Sequence, residues 1–217
     1  MTETQLHVFR IFRSIQGESS FSGLPCGFIR LSGCPLDCTY CDSRRAAESS
    51  GRTMSISEIL SAVTALERHL IEVTGGEPLH QAGTPALLTS LCETGATVLL
   101  ETSGAFPIHG LDPRVRLIMD IKCPGSGMDS RFLPENLDAL VPDRDQVKFV
   151  ISSFHDFQWC LSLIRETQLL DRAPVLFSPV SGRVKADSLA GWILDSRLPV
   201  RLQVQLHKVL WPTDPER

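Results

Sequence analysis

The chain has 217 residues, 42% of them hydrophobic and 21% charged, with a net charge of -4 and a pI near 5.9, enough length for one large core and little for a second domain. Lys and Arg form no block, which excludes nucleic acid as a partner, and no apolar run reaches the about 18 residues that a membrane span requires. Seven cysteines with no basic, apolar leader read as a reduced, cytoplasmic protein and not a secreted disulfide framework.

Short apolar runs alternate with helical patterns along the chain. A strand from Val8 to Phe12 leads into the polar turn Gln16, Gly17, Glu18, and a second strand from Phe28 to Leu31 runs into a cysteine-rich loop. A helix near Ile56 to Arg68 opens with Ser55 and Glu58 in capping-box spacing. The strand from Leu70 to Val73 ends in Thr74, Gly75, Gly76, Glu77 and Pro78, and a helix from Pro85 to Cys92 follows. The strand from Thr97 to Leu100 ends in Glu101, Thr102, Ser103 and Gly104, and that from Leu117 to Ile121 carries Asp120 and is followed by Lys122. After a strand from Val147 to Ile151 come a helix from His155 to Glu166, a strand from Val175 to Phe177 before Ser178, a helix from Ala186 to Leu194, and a last strand from Val200 to Leu206 ending at His207.

Strand and helix in alternation predict parallel βα units. The polar signatures gather at the carboxyl ends of strands, the face on which βα barrels build their active sites. A closed eight-stranded barrel usually takes about 250 residues. This shorter chain therefore predicts an α/β fold, an open partial βα barrel with fewer helices than strands, as a single domain over residues 1–217.

Cys34, Cys38 and Cys41 form C-x3-C-x2-C, and the other four cysteines lie far away in sequence. Three thiolates can hold three irons of a cubane and leave the fourth open to a small molecule, since such clusters otherwise take four thiolates. The spacing alone also admits a zinc knuckle or a redox thiol cluster. Cys26, Cys92, Cys123 and Cys160 read as small buried hydrophobes.

The cysteine spacing, with Tyr40 between the second and third cysteines, resembles that of the radical S-adenosylmethionine (SAM) enzymes, and Gly75-Gly76-Glu77-Pro78 resembles their GGEP motif. That resemblance implies a 4Fe-4S cluster on Cys34, Cys38 and Cys41. Its open iron would chelate SAM, and an electron would cleave SAM to a 5'-deoxyadenosyl radical. It also implies SAM contacts at Tyr40, Cys41, Asp42, Gly76, Glu77, Ser103, Asp120, Ile121, Lys122 and Ser178.

The turn at residues 16–18 ahead of the cluster loop, Asp42-Ser43 just after it, and the terminal Gln205-Leu206-His207-Lys208 together resemble the 7-carboxy-7-deazaguanine synthases of queuosine biosynthesis. These carry 6-carboxy-5,6,7,8-tetrahydropterin to 7-carboxy-7-deazaguanine with loss of ammonia. The resemblance implies a pterin pocket of Ile15, Gln16, Gly17, Glu18, Arg30, Thr74 and His207, with Arg30 facing the substrate carboxylate. It implies Mg2+ on the hydroxyl of Ser43, where similar chains have threonine; serine keeps the oxygen that a hard cation needs. An external flavodoxin- or ferredoxin-type electron donor and a homodimer are further expectations, and the alternative within the superfamily is a glycyl-radical activase. The tail at residues 213–217 extends past the point where similar chains end.

Overall fold

The computed structural model describes residues 3–212, so the tail at 213–217 lies outside the described residues. Its chain begins with a hairpin, β1 (Gln5–Ile15) and β2 (Pro25–Leu31), and the short β3 (Arg52–Ser55) pairs antiparallel on the outer side of β1. The strands β4 (Leu70–Gly75), β5 (Thr97–Thr102), β6 (Arg116–Asp120), β7 (Gln146–Ile151), β8 (Val175–Pro179) and β9 (Arg201–Leu202) then add one after another, parallel to β2. The order is β3-β1-β2-β4-β5-β6-β7-β8-β9. Among the described residues neither β3 nor β9 has an outer partner, so the sheet is open.

Six α-helices accompany the nine strands among the described residues: α1 (Arg44–Glu48), α2 (Ile56–Thr64), α3 (Thr84–Glu93), α4 (Phe154–Glu166), α5 (Ala186–Ser196) and α6 (Leu206–Leu210). None is long and apolar enough to cross a membrane. The expected capping box is present, with Ser55 Oγ accepting from Glu58 N and Glu58 Oε2 accepting from Ser55 N. The helix stops four residues short of Arg68, because the chain turns through Glu67 in the left-handed region at φ 54°.

The period-two alternation of the strands separates two cores. Ile29, Leu31, Ile71 and Val73 face the helices and pack with Ile59, Leu87, Leu88 and Phe157. On the other face Phe12, Cys26, Phe28, Leu70, Leu99 and Ile118 form a smaller apolar plug. Further along this inner face, toward the carboxyl ends, the same rows continue with Arg30, Glu72, Thr74, Glu101, Asp120 and Lys148. The inner face thus changes from apolar to charged along each strand, and the charged end is the site.

Three elements differ from the pattern reading. Helix α1 and strand β3 fall in a segment without clear periodicity. The strand expected from Val200 to Leu206 is only Arg201–Leu202. Gln203 N still donates to Phe177 O of β8 at 2.9 Å while its side-chain amide exchanges hydrogen bonds with Ser19; beyond it the backbone leaves the sheet, and Leu206 N donates to Gly17 O at 2.9 Å. His207 therefore sits in the first turn of α6, not at a strand end.

Candidate active site

A cleft of about 1310 Å³, including its open mouth, lies over the carboxyl ends of the parallel strands. Cys34, Cys38 and Cys41 line it together with Tyr40, Asp42, Ser43, Gly75 and Gly76, and with Ile15, Gln16, Gly17, Glu18, Arg30 and His207. Residues almost 200 positions apart thus form one wall.

The cluster loop is held by hydrogen bonds on both flanks. Thr39 N donates to Ser126 O at 3.0 Å and its hydroxyl to Gly125 O at 2.8 Å. Tyr40 Oη donates to Val150 O at 2.9 Å, and Arg44 reaches Cys38 O at 2.9 Å. All three cysteines are free thiols. Burial pushes Cys38 up to about 11, with Lys122 pulling the other way, and burial raises Cys34 as well. Among the described residues no three His, Cys, Asp or Glu side chains converge tightly enough for a single metal ion. A cubane asks for something different, one thiolate on each of three irons, and three thiols around one cleft with a lysine beside them fit that need.

Gly75 and Gly76 serve packing more directly than ligand access. A Cβ on Gly75 would lie 2.3 Å from Leu31 O, and one on Gly76 would lie 2.2 Å from Gly33 O. The glycines let β4 close against the end of β2, just before Cys34. The Glu77 carboxylate is fully engaged inside the protein: Oε1 accepts from Leu79 N and Thr102 Oγ1, and Oε2 accepts from Ser103 N and Oγ. Glu77 and Ser103 therefore brace the loop through each other, and Glu77 does not line the cleft. The Ile121 side chain belongs to the helix-side core and can offer only backbone. Ser178 is off the lining too, but it shares the inner face with its register partner Val150, and its buried hydroxyl has no hydrogen-bond partner.

At the centre is Lys148, 2% exposed. Its ammonium bonds Glu18 Oε2, Glu101 Oε1 at 2.5 Å and Asp120 Oδ2 at 3.3 Å. Burial alone would lower its pKa, but Asp120, Glu101 and Glu18 raise it well above the ordinary lysine value. Burial likewise works to raise Glu101, and Lys148 overrides it, holding the carboxyl below its usual range. Asp120 also receives Lys122 at 3.0 Å, and Thr74 Oγ1 donates to Glu101 at 3.1 Å.

The segment at residues 16–18 is clamped from distant strands. Gln16 Nε2 donates to Glu72 Oε2 at 2.7 Å, and Gln16 Oε1 accepts from Glu18 N at 2.7 Å. Gln205 Nε2 donates to Glu18 Oε1 at 2.7 Å. A Cβ on Gly17 would meet His207 Nδ1 at 2.3 Å, so only glycine allows this ring so close. Burial keeps the His207 pKa below the ordinary value despite Glu18 and Asp42 nearby. Asp42 is tied to α6 by Lys208 Nζ at 2.7 Å. Arg30 packs over the Phe12 ring at 5.8 Å, and its buried Nε has no partner. Ser43 stands at the N-cap of α1 but makes no capping bond; its hydroxyl lies 3.3 Å from Gly75 O and 3.8 Å from Cys41 Sγ. Sequence reading missed Glu72 and Lys148, named Gln205 only as part of the terminal motif, and gave Glu101 no part in the charge network.

Residues 28–122 match the model of the radical SAM superfamily, which with the open sheet and the three-cysteine cleft defines a radical SAM enzyme. The 7-carboxy-7-deazaguanine synthase of Chlorobaculum tepidum is 46% identical over 215 residues, 98% of this chain and 97% of the relative, and that of Koribacter versatilis is 40% identical over 95% and 97%. The chain belongs to the 7-carboxy-7-deazaguanine synthase family. The crystal structure of QueE from Escherichia coli shares the fold, with a TM-score of 0.73 at 21% identity, covering 94% of this chain and 95% of that one. Family membership implies a 4Fe-4S cluster and SAM.

Proposed function

We propose that the enzyme converts 6-carboxy-5,6,7,8-tetrahydropterin to 7-carboxy-7-deazaguanine with release of ammonia, with SAM and Mg2+. The observation that carries this reading is the buried, unpartnered Arg30 Nε in the same cleft as the three cysteines. A guanidinium short of a partner beside a ligand cavity calls for an anion, and its planar fork matches a carboxylate. The Gln16 to Glu18 segment and His207 supply donors and acceptors for the rest of the ring, and the names of the relatives give the product.

Cys34, Cys38 and Cys41 would hold the cluster, and Gly76, Ser103, Asp120 and Lys122, which line the same cleft, would hold SAM. When bound, the reduced cluster and SAM supply one-electron chemistry that begins with removal of a hydrogen atom from the substrate, the electron coming from an external flavodoxin- or ferredoxin-type donor. The chain's own work is placement and exclusion of water. Arg30 fixes the carboxylate, and Lys148 holds Glu18 and Glu101 in place and keeps Glu101 charged. Neutral His207 closes over Gly17.

Arg30→Ala removes a charge-assisted hydrogen bond worth about 1.5 to 3 kcal/mol, so kcat/KM for the pterin is expected to fall roughly 10- to 150-fold. SAM cleavage uncoupled from the pterin persists, because the cluster loop is untouched. Loss of SAM cleavage itself would place Arg30 on the cofactor side. For the metal, Ser43→Ala should reduce turnover and its response to Mg2+ while SAM binding survives, and Ser43→Thr should keep both. An unchanged Mg2+ titration in Ser43→Ala would remove Ser43 from the metal site.

A further inference from the structure

Glu72 is a carboxyl on the cavity floor without a cation. It is 3% exposed and lines the cleft, yet Lys148 gives its bonds to Glu18, Glu101 and Asp120. One oxygen of Glu72 accepts from Gln16 Nε2 at 2.7 Å; the other makes no hydrogen bond. That oxygen opens on the cleft, where a ligand can complete it.

The sheet register says what part of a ligand reaches it. Phe28 lies opposite Glu72 and Arg30 opposite Thr74 on β2 and β4. Glu72 is therefore one inward-facing position, about 6.6 Å, below the level of Arg30 and Thr74. Resting on the proposed function, with the carboxylate of the pterin on Arg30, the opposite end of the bicyclic ring comes to the level of Glu72. The stacked rings of Phe12 and Phe28, 5.1 Å apart, form the apolar wall there. We infer that Glu72 is a specificity residue that reads the pyrimidinone edge of the pterin by pairing with its lactam N–H and C=O.

A lactam edge presents a donor beside an acceptor, and its complement is a carboxylic acid, which presents O–H beside C=O. A carboxylate has no donor to give. The surroundings favour the acid. Burial and the nearby charges of Glu101 on β5 and Glu18 after β1 push Glu72 up to about 8, against the opposing pull of the Gln16 hydrogen bond and of Lys148 on β7. On β2, Cys26 is a buried thiol held above its ordinary value and adds no charge at neutral pH, and the charge of Arg30 lies one inward-facing position further along.

Glu72→Gln keeps a donor beside an acceptor at the same size, and Glu72→Leu keeps neither. The test measures steady-state kinetics of the reconstituted enzyme with 6-carboxytetrahydropterin, together with SAM binding. Glu72→Leu should raise the pterin KM about tenfold or more, the equivalent of one or two hydrogen bonds, with SAM affinity unchanged. Glu72→Gln should stay within about threefold of wild type. The wild-type KM should rise above about pH 8 as the acid form is lost, and that of Glu72→Gln should not. A wild-type KM in Glu72→Leu, or equal damage from both substitutions, overturns the role of Glu72 and leaves the substrate standing. Wild-type enzyme that cleaves SAM but leaves the pterin untouched overturns the substrate reading, and this inference with it.

Discussion

Cys38→Ala, purified and reconstituted anaerobically, is expected to lose its iron–sulfur absorption and all SAM cleavage, where wild type binds about four irons. In the proposed site each thiolate would hold a different iron, so Cys34→Ala and Cys41→Ala should behave alike. Cys123→Ser is the control. Its sulfur lies 3.5 Å from that of Cys160 in the helix-side core, away from the cleft lining, so it should keep the cluster at some cost in packing. Retention of four irons in Cys38→Ala, or complete loss in Cys123→Ser, would refute the three-cysteine assignment.

Lys148→Met should destabilise the fold by about 3 to 5 kcal/mol, the range for removing one partner of a buried ion pair, because three carboxylates lose their common cation. The sign of the pH dependence follows from the carboxylates. Paired with Lys148, Glu101 has a lowered pKa, so its contribution is present above the unfolded value and is lost as the pH falls through the folded one. Without Lys148, burial raises the buried acids instead, and their stability cost grows as the pH rises above about 4.5. Denaturant midpoints should therefore separate wild type from Lys148→Met more at pH 8 than at pH 5.5. Equal separation at both values would show that Lys148 acts through packing alone.

The sequence disclosed the parts of the site that are local. The cysteine spacing, the glycine-rich strand end and the polar turn at Gln16 to Glu18 each lie within a few residues, and the strands they follow carry continuous apolar runs. The charge network was hidden because it depends on register. Lys148 looks like one polar residue inside the apolar strand β7, and only pairing with Asp120 on β6 turns it inward beneath Glu101 and Glu18. Glu72 is equally unremarkable until β4 is laid beside β2. The end of the chain misled for a related reason. Val200, Leu202 and Val204 alternate as a strand should, but after Gln203, still bonded to β8, Gln205 binds Glu18 and Leu206 N binds Gly17 O, so the backbone turns off the sheet edge.

The most direct measurement is a single-turnover reaction in which reduced, reconstituted enzyme is given SAM, Mg2+ and 6-carboxy-5,6,7,8-tetrahydropterin, with products followed by mass spectrometry and ammonia assay. The proposed function predicts a carboxylated deazaguanine and ammonia in equal amounts. Cleavage of SAM with the pterin recovered unchanged would contradict it.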